Sequence, residues 1–235
     1  MRDCRSTLLL NALWAVLVCL AAAGQASPWW GAGPPAAPHP EETGNPPRLT
    51  FTKELKGSVP ECVMLSVTAD GAAIYEGRPC SDAPNPRSFR LSPATTRRLF
   101  DLAAQLGNFK SMDLESHKKV ANLGLKTFTY ENGAEKNQVQ FNYTLRREAQ
   151  ELSDLCERIS SVQQHVMALE YLMKYDHLGL PKELRQIQID LDNNALADPE
   201  IMGPTLERIV RNPKLLHLAQ SRAEDILQRL HLNSN

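Results

Sequence analysis

Tryptophan is missing from most of this chain: Trp14, Trp29 and Trp30 are the only three, so everything after residue 47 has none. Cysteine is scarce. Five in 235 residues are too few to build a small fold out of disulfides. An excess of one charge is also missing. With 26 Lys+Arg against 27 Asp+Glu and a net charge of -1, the chain lacks the basic face that broad nucleic-acid binding needs, and no nucleic-acid partner is expected. No G-x-S-x-G, H-E-x-x-H, P-loop or G-x-G-x-x-G occurs, which removes the local signatures of serine-hydrolase, zinc-protease and nucleotide sites. What is present is a 42% hydrophobic content, enough for a packed core. The length suits one domain with an appendage.

The start of the chain has the order of a secretory leader. Arg2 and Arg5 precede an apolar run over 8–23, broken by Asn11, and small residues follow from Ala21 to Ala26. A charged, an apolar and a small-residue segment in that order describe a signal peptide over 1–26, with cleavage after Ala23 or Ala26. The run is about 24 Å long as a helix, short of the roughly 30 Å hydrocarbon layer, so no membrane span is expected in the mature chain. Val18 before Cys19 argues against a lipidated cysteine. Residues 27–47 hold seven of the sixteen prolines and read as an extended, semi-stiff linker.

Residues 48–160 read as an antiparallel α+β domain of about five strands with a packed helix. Leu49, Phe51 and Leu55 alternate over 48–56, and strands are expected over 62–68 and 72–76 around the Asp70-Gly71 turn. After a Pro-rich loop, Ser92-Pro93 offers a hydroxyl cap and a proline at the first helical position. Leu99, Leu102, Ala103 and Leu106 share one face of that helix, which Gly107 ends. Residues 108–122 show no clear period. Leu125, Phe128 and Tyr130, then Val139, Phe141 and Tyr143, mark two strands joined at Asn132-Gly133.

The remainder turns helical. No Gly or Pro falls between residues 145 and 175, and Leu145, Ala149, Leu152, Cys156, Ile159, Val162, Val166, Leu169 and Met173 recur at spacings of three and four. That predicts one helix of roughly 45 Å, too long for a small sheet to cover. Pro181, Asp198-Pro199, Pro204 and Asn212-Pro213 predict further helix starts over 161–235, a helical tail folding around the distal half of the long helix. A coiled-coil dimer is the competing arrangement, weakened by a stripe that does not follow strict heptads. The sequence assigns no oligomeric state.

Chemistry has few candidates. Ser58 after Gly57 lacks the elbow pattern of a nucleophile. His39, His117, His165, His177, His217 and His231 show no ligand spacing. Asp176-His177 suits a helix end, and Arg147 with Glu151 suits an i,i+4 surface pair. Cys62 and Cys80 flank the first hairpin and could bridge, which would leave Cys156 as a small buried hydrophobe. Asn142-Tyr143-Thr144 matches the glycosylation sequon inside an expected strand. No catalytic, cofactor-binding or metal-binding residue is assigned, and no cofactor is expected.

Residues 49–160 resemble a family of uncharacterised bacterial exported α+β domains. The matching stretches are Pro60-Glu61-Cys62, residues 63–68, Asp70-Gly71, Tyr75-Glu76-Gly77 and Tyr130-Glu131-Asn132-Gly133. The family's Cys-Pro order and its partner cysteine are missing here, so its cysteine pair does not transfer. The resemblance implies an envelope location, periplasmic or extracellular, and lends no activity. Together these readings lead to an exported, non-enzymatic binding module whose expected partner is a cell-envelope protein. The alternative is an exported hydrolase or thiol-redox enzyme with a site assembled from distant residues.

Overall fold

The computed structural model describes residues 45–233. The leader, Trp29, Trp30 and most of the Pro-rich segment lie outside the described residues. Six strands form one antiparallel sheet: β1 (Arg48–Glu54), β2 (Cys62–Thr68), β3 (Ala72–Arg78), β4 (Arg87–Arg90), β5 (Leu125–Asn132) and β6 (Glu135–Phe141). Their spatial order is β4-β3-β2-β1-β5-β6. Five helices complete the α+β fold: α1 (Pro93–Gln105), α2 (Arg147–Tyr175), α3 (Leu180–Asp192), α4 (Gly203–Val210) and α5 (His217–Asn233).

The sheet therefore has six strands, not about five. The sequence hides β4 because it is short and pairs on one side only, with β3. Neither Arg87 nor Arg90 contributes to an apolar alternation. α1 then carries the chain from that edge to the opposite side of β1, where β5 pairs. Its start follows the expected chemistry: Ser92 accepts a hydrogen bond from the Thr95 N–H, with proline at the first helical position.

Register puts one row of inward side chains across the sheet. Tyr75 lies beside Leu65, Leu65 beside Phe51, Phe51 beside Phe128, and Phe128 beside Val139. The Phe128 ring has Phe51, Phe109 and Phe141 around it at centroid distances of 5.5, 5.3 and 5.5 Å, within the range where aromatic pairs attract beyond simple burial. Phe109 comes from the aperiodic 108–122 stretch. Its φ of 64° is costly for a bulky residue, roughly 1–2 kcal/mol, and full burial against Phe128 offsets that cost.

The turn between β5 and β6 is centred one residue later than expected. Asn132 pairs with Glu135, so Gly133 and Ala134 are the turn residues. Gly133 has φ 58° and Ala134 no positive φ, the order of a II′ hairpin turn.

The long helix joins two cores. Ala149, Leu152, Cys156 and Ile159 pack into the sheet cluster, while Val162, Val166 and Leu169 pack with Leu184, Ile187, Leu206, Ala223 and Ile226 of α3, α4 and α5. Leu145 departs from the expected stripe: it precedes α2 and is exposed. One expected helix start also moves, while a short 3-10 turn begins at Pro199 and α4 begins beside Pro204 as expected. No helix begins at Pro213; Asn212 instead accepts the Lys214 N–H in a turn, and α5 starts at His217. Asp198 caps from a distance. Its carboxylate accepts from the Ser92 N–H at 2.6 Å, from the Ser92 hydroxyl at 2.9 Å and from the Thr95 hydroxyl. An anion thus sits at the N-terminus of α1, where the helix dipole favours it, and ties the tail to the sheet half.

Among the described residues no helix is long and apolar enough to cross a membrane.

Candidate functional site

The cavity between the two cores is built on β3. Tyr75 and Gly77 are two apart on a strand and so share the inner face. A Cβ on Gly77 would lie 2.3 Å from the Tyr75 hydroxyl and 3.1 Å from Cγ of Pro60. Only glycine leaves room there, which gives the Tyr75-Glu76-Gly77 segment its physical reason. Cys62 and Cys80 form a disulfide that ties the start of β2 to the loop after β3. It holds Pro79 beside the β1–β2 turn.

These elements and the middle of α2 enclose a surface cavity of about 630 Å³, within the range of small-ligand sites. Val59, Pro60, Tyr75, Pro79, Met167 and Ala168 supply apolar lining; Ser58, Glu61, Arg78, Gln164, His165 and Glu183 supply polar groups. Val59 is 96% exposed at the mouth. Along α2 the apolar surface continues from Ala168 to Tyr171 and Tyr175, both exposed and at the three-to-four spacing of one helix face.

Ser58 and His165, 107 positions apart in the sequence, both line this cavity, and both are already engaged. The Ser58 hydroxyl lies 2.8 Å from the Leu55 carbonyl and 2.7 Å from the Pro60 carbonyl. His165 has Nδ1 at 2.7 Å from Oε1 of Glu183 and Nε2 at 3.0 Å from Oδ2 of Asp190. Each ring nitrogen thus faces a carboxylate oxygen. Neither nitrogen is left to take a proton from a serine. Glu183 and Asp190 went unnoticed in the sequence, although a spacing of seven on an amphipathic helix places two acids on one face.

Tyr75 is the other group the sequence left unassigned. Burial pushes its hydroxyl up to about 12, with the Gln164 side chain near enough to pull slightly the other way. No group meets the hydroxyl at hydrogen-bonding geometry, an uncommon state for a buried polar atom.

A second cavity, of about 410 Å³, lies where β1 and β5 meet α2. Lys53 and Lys126 are cross-strand neighbours on the inner face, an unfavourable like-charge pair. Glu157 resolves it, with Oε1 at 3.1 Å from Lys53 and 3.9 Å from Lys126. Burial, then the Lys53 charge, hold the Lys126 ammonium below its usual range, and Glu157 opposes them. The acids beside these lysines balance them, so the cavity has no net charge to offer a ligand.

The other candidates are scattered. His117 bonds Asp113 on an exposed loop, and His177 Nε2 reaches the Met173 carbonyl at the end of α2. Cys156 is free and fully buried, and burial pushes its thiol far above the usual range, so it packs as a hydrophobe. The sequon residue Asn142 lies just past β6, not inside a strand, and its side chain bonds Leu123 and Ala121. Among the described residues no group of three His, Cys, Asp or Glu could hold a metal ion. No protein-family description matches the chain, and neither does any curated protein.

Proposed function

We propose that this chain is an exported, non-enzymatic binding module of the bacterial cell envelope that takes its ligand in the cavity beside Tyr75 and α2. The observation that carries the binding half is the cavity itself: about 630 Å³, walled by apolar side chains, with its one serine hydroxyl and its one imidazole already bonded within the protein. Such a site offers shape and apolar surface, the terms that dominate small-ligand binding, and no free serine–histidine pair of the kind covalent hydrolysis uses. The leader-like residues 1–26 and the resemblance over 49–160 support the export half.

A neutral, environment-sensitive apolar dye tests the binding half. The protein should bind it saturably at one site, and Ala168→Trp, which fills the cavity, should abolish binding without lowering the melting temperature. Dye binding unchanged in Ala168→Trp would overturn the cavity as the site. N-terminal sequencing of envelope-associated protein tests the other half: a mature start near Gly24 or Ser27 is expected, and recovery of Met1 would overturn export.

A further inference from the structure

The cavity's walls are apolar, but the charge around its mouth is one-sided. Glu61 and Glu183 stand there, with Asp190 behind His165. The two basic groups are spent. Arg78 pairs with Glu76 and donates to the carbonyls of Pro79, Cys80 and Asp82. His165 is held between Glu183 and Asp190. Three carboxylates therefore stand around one histidine. Glu61 has no ion-pair partner among the described residues; its Oε1 accepts the Gly57 N–H at 3.1 Å. At the wall the Tyr75 hydroxyl, 0% exposed as a residue, is unpartnered. A buried polar atom left unpaired costs free energy that a ligand atom can recover.

Resting on the binding reading above, we propose that this cavity takes a small amphiphilic amine. The ligand's apolar body lies against Pro60, Met167 and Ala168, and its protonated amine is drawn to the Glu61–Glu183 side. An ammonium needs only acceptors, and the groups the cavity leaves available, the Glu61 carboxylate and the Tyr75 oxygen, both accept. A carboxylate or phosphate ligand would meet like charge with no unspent cation to receive it. Met167 suits such a ligand because its flexible thioether adapts to varied apolar shapes.

Three probes that share one tail separate charge from apolar binding: octylammonium, octan-1-ol and octanoate, each titrated against the full mature chain by NMR with the Gly77 and Ala168 amides as reporters. Octylammonium is expected to bind about tenfold tighter than octanol, and octanoate more weakly than either. Glu61→Gln should bring the ammonium-to-octanol ratio close to one and leave octanol affinity and the melting temperature unchanged. Tyr75→Phe should weaken octylammonium more than octanol. Equal affinity for all three probes, or a ratio untouched by Glu61→Gln, would overturn the amine while the binding cavity stands. Failure of all three probes to bind would overturn both readings.

Discussion

The two halves of this molecule bury different chemistry. The sheet half packs Phe51, Phe109, Phe128, Tyr130 and Phe141 against α1 and the first part of α2. The helical half packs only aliphatic side chains, from Val162 on α2 to Leu230 on α5, with Met202 among them. Flat rings fill the space between a sheet and a helix and reward cross-strand register. Branched and straight aliphatic chains interdigitate better between helices that cross each other. The helix α2 belongs to both, and the proposed site lies where the two kinds of core meet.

Removing the helical half is the largest perturbation of that pairing. Deletion of residues 180–235 would expose Val162, Val166 and Leu169, each worth roughly 1.5–3 kcal/mol when fully buried, a sum comparable to the stability of a typical domain. The truncated protein should aggregate or dimerise, as size-exclusion chromatography would record. A monomer as stable as the full chain would show that the sheet half stands alone.

Single cavities in each core sharpen the comparison. Phe128→Ala removes the ring that three others touch and should cost about 3–5 kcal/mol; Ile187→Ala in the helical half should cost about 2–5 kcal/mol. Because α2 runs through both cores, each variant should lower one shared unfolding transition in denaturant. Two separated transitions would show that the halves unfold independently.

The Tyr75 hydroxyl should make the sheet half alkali-sensitive. Its pKa stands at about 12 in the fold against an ordinary 10. Below pH 10 both states keep the proton and the contribution is complete. Between pH 10 and 12 the unfolded chain loses its proton first, and roughly 2–3 kcal/mol of stability should disappear. Lys126 acts in the opposite sense, since its lowered pKa lets stability rise with pH as the amine discharges in the fold first. Tyr75→Phe separates the two: the alkaline loss should vanish, and an unchanged pH profile would count against the buried hydroxyl.

The smallest expected effect is at the β5–β6 turn. Gly133→Val puts a β-branched residue at φ 58° and should cost about 1–2 kcal/mol, read as a lower melting temperature. Ala134→Gly at the next position should cost far less, which distinguishes the observed turn centre from one at Asn132-Gly133.

Local signals made much of the framework legible. Ser92-Pro93 begins α1, Gly71 turns the first hairpin with φ 85°, and an uninterrupted apolar period from Ala149 to Leu169 marks α2. Each depends on backbone preferences or on spacing within a few turns, which neighbouring residues alone determine. β4 escaped because its pairing is lent by β3, and Phe109 escaped because its burial outweighs an unfavourable φ.

The amino-acid sequence by itself determined the α+β class, the hairpins, the long helix and the aliphatic character of the tail. Tertiary structure alone decided that Asp198 caps α1 across 106 positions, that Glu157 reconciles two lysines, and that Glu183 and Asp190 hold both nitrogens of His165. It also placed Gly77 under Tyr75 beside α2 and so made the cavity. Helix periods and turn preferences act between near neighbours. Charge pairing and the shape of a cavity act through space, between residues whose sequence separation carries no period to read.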